Sequence, residues 1–572
     1  MPLLLFRSSK PYLKTMKNKI IIYQTLPRLF GNRNTNCKKN GTCQENGCGK
    51  LDDFDSKTLQ RIHDMGFTHV WYTGIIRHAS TTPYSDYGIP TQHPDVVKGK
   101  AGSPYAITDY YDVDPDLARN VDKRMEEWEA LVKRTHEAGM KVIIDFVPNH
   151  VARQYKSVAK PTYTKDLGEN DNKEMHFSTS NNFYYCWGQP LDLSGINNRE
   201  YEEEARYEEK PARATGNDHF DAHPGTNDWY ETVKLNYGID YCDAGGRSEH
   251  FSPIPDTWGK MTDILLFWAS KGVDGFRCDM AEMVPQAFWS WATDKVKFAY
   301  PNIVFIGEVY NPALYRAYIA AGFNYLYDKV GMYDSLCRVI KGFGNTADIT
   351  RQWQDTDDIG EHMLYFMENH DEQRLASDFV AGDAKKALPA VAVSTLFSTN
   401  PVMIYNGQEW GERGMDSEGY SGCDGRTTIF DYWCVDKLRR GFFDRRHLTH
   451  EERTLNAWYA KLLTLANSEL AFSEGRSFDL MYVNPHLAQR QFAFLRKHKQ
   501  TVVLVVANFD ANDLKCNVKL PRHAFDFFQL PERDTVACEL LSGNKMNVTL
   551  AADNDIQVEV KGYGVSILKM TI

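Results

Sequence analysis

The stretch VDKRMEEWEALVKRTHEAGMKVIIDFVPNH, residues 121–150, sets a helix, a glycine and a strand end to end. Met125, Trp128, Leu131 and Val132 recur at helical spacing. Glu137-Ala138-Gly139 closes the helix, because a glycine just past the last turn adopts the left-handed conformation with no Cβ penalty. Lys141 to Val147 then reads as a nearly unbroken apolar strand, the pattern of a parallel strand covered on both faces. The unit ends in polar residues: Asp145, Asn149 and His150.

The same scheme recurs outward from it. TWGKMTDILLFWASKGVDGFRCDM, residues 257–280, predicts a helix near 257–270, a closing Gly272 and another strand. The expected strands are Ile20–Thr25, Thr68–Thr73, Lys141–Val147, Gly272–Asp279, Asn302–Val309, Phe323–Asp328, His362–Glu368 and Pro401–Asn406. Eight strands alternating with helices predict an α/β fold closed as a (β/α)8 TIM barrel. The rhythm breaks once, between His150 and Gly245, where a polar Asn/Tyr/Glu-rich stretch reads as an inserted subdomain after the third strand. Beyond Phe472, short alternating runs such as TVVLVVANF (501–509) and GYGVSILKM (562–570) predict an antiparallel β-sandwich. The expected division is an N-terminal extension (1–18), a barrel (19–150 and 246–471), an insert (151–245) and a C-terminal sandwich (472–572).

Composition excludes several classes of function. A net charge of −10 lacks the basic face that nucleic acid requires. No run of about 18 apolar residues exists to span a membrane. Leu3 to Phe6 is too short for a signal-peptide core, so a cytoplasmic location is expected. The 11 cysteines are scattered, as reduced thiols are, and Cys37, Cys43 and Cys48 fit no usual zinc spacing. Their segment, NCKKNGTCQENGCGK (36–50), reads as a flexible loop with incidental thiols. Twelve Trp, 31 Tyr and 30 Phe supply flat faces suited to a core and to sugar rings.

Chemistry in such a barrel sits at the C-terminal ends of the strands. Alternation sends Arg277 and Asp279 of GVDGFRCDM (272–280) to one face of the fourth strand. By itself that pair reads equally as a structural bridge. The fifth strand ends FIGEVY, presenting Glu308; the seventh ends MENHDEQR, presenting Asn369, His370, Asp371 and Arg374. Asp279, Glu308 and Asp371 thus converge on one mouth with His150, His370 and Arg277. Arg277 favours the carboxylate form of Asp279, while the apolar IVFIG before Glu308 favours its acid form.

DFVPNH, GFRCDM, GEVY and ENHD resemble, in order, the four signature segments of the α-amylase family, glycoside hydrolase family thirteen. With the insert and the β tail, the resemblance covers essentially the whole chain. It implies that Asp279 is the nucleophile, Glu308 the general acid/base, and Asp371 the third acid, which holds sugar hydroxyls. It also implies that Arg277 stands beside the nucleophile, and that His150 and His370 bind the sugar at the cleaved bond. Tyr105, in GSPYAITDYYDV (102–113), resembles the family's ring-stacking tyrosine. Glu409, in NGQEWG (406–411), is expected to anchor a loop.

The implied activity is retaining hydrolysis of α-1,4-linked glucans or maltooligosaccharides. A glucanotransferase and an enzyme of small α-glucosides are the alternatives, and an inactive binding protein a remote one. No cofactor is required for the chemistry. Asn149 matches a residue that often ligates calcium, and the Asp/Asn-rich run Glu169–Asn172 reads as a solvated acidic loop able to add oxygens. The family's Lys-His pair after the nucleophile is replaced by Glu282 and Met283. The lysine there touches the leaving-side sugar and the histidine backbone helps hold calcium, so both features are in question here. YEEEARYEEK (201–210) is expected to be an exposed helix face, while FYYCWGQPLDL (183–193) divides equally between a stacking surface and the insert's own core. Oligomeric state is not readable from the sequence.

Overall fold

The computed structural model describes residues 19–196 and 206–572. The N-terminal extension 1–18, and residues 201–205 of the acidic run, lie outside the described residues. Eight parallel strands close a barrel: β1 (Ile21–Thr25), β2 (His69–Tyr72), β3 (Lys141–Phe146), β4 (Gly275–Cys278), β5 (Val304–Gly307), β6 (Tyr325–Tyr327), β7 (Met363–Phe366) and β8 (Val402–Tyr405). Closure comes from β1 pairing β8, Ile21 opposite Val402, while its other edge pairs β2. All eight fall within the spans expected from the sequence.

The helix before β3 runs Arg124–Glu137 and buries Trp128, Leu131, Val132 and Thr135 against the barrel. Gly139 sits at φ 82°, the left-handed geometry that ends a helix cheaply only for glycine. The helix before β4 runs Asp256–Ser270, and Gly272 repeats the device at φ 87°.

Among the described residues, the chain between β3 and β4 forms three small antiparallel ladders. His150–Ala152 pairs with Thr232–Lys234, Tyr185–Cys186 with Ala212–Arg213, and Ile239–Asp240 with Ser248–Glu249. Phe183, Tyr184, Tyr185 and Cys186 are buried in this insert, and Trp187 is exposed. The described half of the acidic run departs from an exposed helix face. It has no helical turn, and Glu209 is buried, held by Arg153 at 2.9 Å and Arg213 at 2.7 Å. Two inward arginines reverse the usual preference of a glutamate for water.

The C-terminal part is antiparallel throughout. Six strands form one sheet in the order β9 (Arg476–Asp479), β10 (Gln491–His498), β11 (Thr501–Asn508), β16 (Val565–Thr571), β13 (Arg533–Glu539) and β14 (Lys545–Leu550). The remaining two, β12 (Leu514–Leu520) and β15 (Asn554–Val560), pair with each other. Phe492 and Phe494 of β10 pack edge-on against Phe397 behind the barrel, at 5.1 and 5.0 Å between ring centres. One apolar core therefore runs from the barrel into the sheet.

The cysteine-bearing loop is tied down rather than flexible. Asn46 Nδ2 donates to Tyr432 O at 2.8 Å and Asn32 Nδ2 to Trp433 O at 2.9 Å. All 11 cysteines are free thiols. Among the described residues, no helix is long and apolar enough to cross a membrane.

Candidate active site

The register of neighbouring strands assembles the site. Arg277 lies opposite Asp145 of β3 and Ile306 of β5, and Cys278 opposite Gly307. One step further, Asp279 N donates to Phe146 O at 2.9 Å and Glu308 N to Cys278 O at 3.1 Å. The two acids therefore leave adjacent strands at the same level of the barrel mouth. Met280 follows at φ 42° and ψ 44°, a left-handed conformation costly for a side chain of its size. That turn aims Met280 N at Glu308 Oε2, 2.7 Å away.

Arg277 is fully buried and reaches three carboxyls. Its Nη1 lies 2.8 Å from Asp279 Oδ1 and 3.3 Å from Asp145 Oδ1, and its Nη2 lies 2.7 Å from Glu308 Oε2. A guanidinium is a rigid fork, so the carboxyls it bridges are held one fork apart. That closeness suits double displacement; inversion needs a wider gap for a water. Aromatic rings wall in the guanidinium, with Trp71, Tyr105 and Tyr327 centred at 5.3, 5.4 and 5.5 Å.

Burial raises the Asp279 pKa, and Arg277 opposes it through charge and a direct hydrogen bond. The sequence expectation of an arginine-stabilised carboxylate is thus half the balance, since desolvation is the larger influence. Glu308 is raised too, by burial first, with Asp279 adding and Arg277 subtracting. Because Asp279 raises Glu308 while a Glu308 proton lowers Asp279, the pair settles with the charge on Asp279 and the proton on Glu308. Asp279 Oδ2 is buried without an N–H or hydroxyl donor among the described residues. Glu308 Oε1 accepts from Tyr310 Oη at 2.6 Å.

Asp371 stands at the open side of the mouth, with 43% of its side chain exposed. Desolvation in the cleft and then Glu308 raise its pKa, less than in a sealed site because water still reaches it. His370 is buried between Gln24 Nε2, 2.8 Å from Nδ1, and Tyr105 Oη, 2.6 Å from Nε2. With the Gln24 amide oriented so that its nitrogen faces the ring, Nδ1 accepts and Nε2 carries the proton. Tyr105 Oη in turn lies 3.3 Å from Asp145 Oδ1, and its ring stacks on His370 at 5.1 Å. His150 is buried, with its pKa lowered to about 4 mainly by desolvation, so it is neutral at pH 7. Its ring lies 5.2 Å from Trp229 of the insert.

Other residues marked by the sequence serve elsewhere. Arg374 turns away from the mouth to Glu368 at 2.8 Å and Asn406 O at 2.9 Å. Glu409 accepts from Tyr23 Oη at 2.7 Å and from Gly407 N at 2.9 Å, as an anchor of its loop. Glu282 Oε2 accepts from Tyr310 N at 3.1 Å and Asn311 N at 3.0 Å, so its carboxylate braces the loop after β5. Trp71, Tyr310 and Tyr327 were not singled out as site residues. Tyr310 carried the one usable signal, its place two residues beyond Glu308.

The residues do not fit a calcium. Asn149 Oδ1 already accepts from the Lys234 ammonium, and Asn149 Nδ2 donates to Gly216 O at 2.8 Å. In the run Glu169–Asn172, Asp171 receives Asn182 N at 2.8 Å and Phe183 N at 3.0 Å, closing its own loop. Among the described residues, no group of three or more His, Cys, Asp or Glu could hold a metal ion.

Comparison with known proteins gives a consistent result. Alpha-amylase 3 of Dictyoglomus thermophilum is 24% identical over 328 residues, covering 55% of each chain. Maltase A1 of Drosophila melanogaster is 26% identical over 261 residues, covering 45% of this chain and 33% of its own. The chain thus spans about half or less of the length of these curated relatives. Among solved structures, an α-amylase of Geobacillus thermoleovorans complexed with acarbose superposes with a TM-score of 0.64 at 17% identity, covering 98% of this chain and 99% of that one. A cyclomaltodextrin glucanotransferase with a three-domain ABC distribution gives 0.65 at 17% identity, covering 97% and 100%. The model for the α-amylase catalytic domain matches residues 24–458. That match takes in the end of β1, the other seven strands of the barrel and the mouth they build, and the chain belongs to the α-amylase family.

Proposed function

We propose that the protein is a retaining glycoside hydrolase acting on α-1,4-linked glucans or maltooligosaccharides, with a catalytic barrel (19–150 and 246–471), an insert (151–245) and a C-terminal sandwich (472–572). The observation that carries the reading is one buried guanidinium bridging Asp279 and Glu308. Asp279 Oδ2, free of N–H and hydroxyl donors among the described residues, attacks the anomeric carbon as Glu308 protonates the departing glycosidic oxygen. The bond from sugar to leaving group breaks, and a bond to Asp279 forms. Glu308, now ionised, takes a proton from water, which displaces Asp279 and releases the sugar with its configuration retained. Asp371 holds sugar hydroxyls as the ring flattens, and neutral His150 and His370 hydrogen-bond them. Tyr105 offers its ring as the floor beneath the sugar.

A transferase replaces that water with a sugar hydroxyl and must hold an acceptor sugar. Glu282 stands in place of the acceptor-side lysine and is engaged by backbone N–H groups, which favours water. Small α-glucosides remain a substrate alternative. The products formed from maltooligosaccharides separate these readings: only shorter chains mean hydrolysis, and longer ones mean transfer. Asp279→Asn should cut turnover of a chromogenic maltooside by roughly a thousandfold or more. Equal activity in the variant would remove Asp279 as nucleophile.

A further inference from the structure

We propose that Lys234 is a built-in cation that clamps the insert to the barrel in place of a calcium ion. Its ammonium meets three oxygens from three separate segments. Asn149 Oδ1 comes from the end of β3, Asp218 Oδ1 (2.6 Å) from a turn of the insert, and Met283 O (3.3 Å) from the loop after β4. Two of these, Asn149 and the backbone at position 283, are the positions where the family resemblance expects calcium ligands.

The coordination chemistry fits an ammonium and not a metal. Calcium takes about six to eight oxygens, usually with several carboxylates. Here three acceptors meet the three N–H bonds of one ammonium, and a single carboxylate balances a single positive charge. The Lys234 side chain is 2% exposed, so few waters could complete a metal's shell. Asp218 sits at φ 62°, a strained conformation for a residue with a Cβ, and that turn presents its carboxylate to the ammonium.

The clamp bears on the active site through one ladder. Lys234 lies directly opposite His150 where Thr232–Lys234 pairs with His150–Ala152. Asn149, the chain neighbour of His150, takes Lys234 on one side of its amide and Gly216 O on the other. The ammonium also adds to the influences that keep His150 neutral. Loss of the clamp therefore loosens the insert and blurs the placement of a sugar-binding histidine.

The test uses the full chain. Wild-type protein dialysed against EDTA should keep its Tm and its resistance to protease within residues 151–245, and millimolar CaCl2 should change neither. A fall of several degrees on chelation, restored by calcium, would overturn the proposal. Lys234→Met, which keeps the stem and removes the charge, should raise the cleavage rate within the insert by roughly tenfold or more. It should also raise KM for maltooligosaccharides more than it lowers kcat, while Lys234→Arg preserves protection. Wild-type protection in Lys234→Met would equally overturn the clamp. Should that variant fail to fold, the chelation arm on the wild-type chain still decides.

Discussion

Tyr310→Phe removes one oxygen from the molecule and leaves the ring in place. That oxygen donates to Glu308 Oε1 at 2.6 Å, while Glu308 Oε2 is held by Met280 N and paired with Arg277. A hydrogen bond to a charged acceptor contributes about 1.5–3 kcal/mol. A protonated carboxyl still accepts from the same hydroxyl, so about half of that distinguishes the two protonation states. Half of it, at about 1.4 kcal/mol per pKa unit, shifts Glu308 by about half a unit to one unit. The sign follows from the partner: a donor favours the ionised acid, so its loss raises the pKa. Glu308 must be protonated for the first step, and the alkaline limb of kcat/KM against pH reports that proton in the free enzyme. The limb should therefore move up by about half a unit to one unit in Tyr310→Phe, with Tm nearly unchanged. The assay is kcat/KM for a chromogenic maltooside across the pH range. A limb that stays put or moves down would refute the role of Tyr310. Glu282 gives an internal control, since its carboxylate holds Tyr310 N and Asn311 N. Glu282→Ala should shift the limb in the same direction, and Glu282→Gln, which keeps an acceptor, should shift it less.

Gly102 lies at φ 70°, and a Cβ there would fall 1.6 Å from Ala79 O. Gly102→Ala should lower stability by about 2–4 kcal/mol and raise KM through displacement of the Tyr105 loop; denaturant unfolding with m unchanged would measure the first. Glu418 is buried, with its pKa pushed up to about 9, first by desolvation and then by Asp431 and Glu412. A raised acid binds its proton more tightly when folded, so stability falls as pH climbs from the unfolded pKa near 4 towards 9. Between pH 5 and pH 8, Tm should fall further in the wild type than in Glu418→Gln. Equal falls would show that Glu418 is already ionised in the folded protein.

The barrel was readable from sequence because each strand carries its own local signal. Lys141–Val147 is an apolar run between a glycine and a polar end, and the strand forms over Lys141–Phe146. That Asp279, Glu308 and Asp371 meet at one mouth was readable for a related reason: a strand end in a barrel has one direction to face. What escaped depends on contacts made across the chain. The Lys234 bond to Asn149 spans 85 residues and the Glu209 bond to Arg153 spans 56, distances at which periodicity carries no information. Trp71 and Tyr327 resemble any core aromatic in a strand. Only the folded barrel shows that Trp71 Nε1 donates to Asp145 at 2.8 Å and that both rings face Arg277.

The charges at the mouth explain why one arginine suffices. Asp145, Asp279 and Glu308 meet a single guanidinium, Asp371 feels its charge from the open side, and Asp145, like the others, is raised by burial, to about 7. Four ionised carboxylates against one cation in a desolvated site would repel one another by more than Arg277 returns, so protons must remain. They remain where a neighbouring carboxylate adds to burial: Asp279 raises Glu308, whereas burial alone raises Asp279. Asp279 keeps the aligned hydrogen bond from Nη1, whereas Nη2 reaches Glu308 by proximity without a hydrogen bond of good geometry. The shortage of positive charge is thus what keeps Glu308 an acid. A second cation here would ionise Glu308, remove the leaving-group proton and stop the first step.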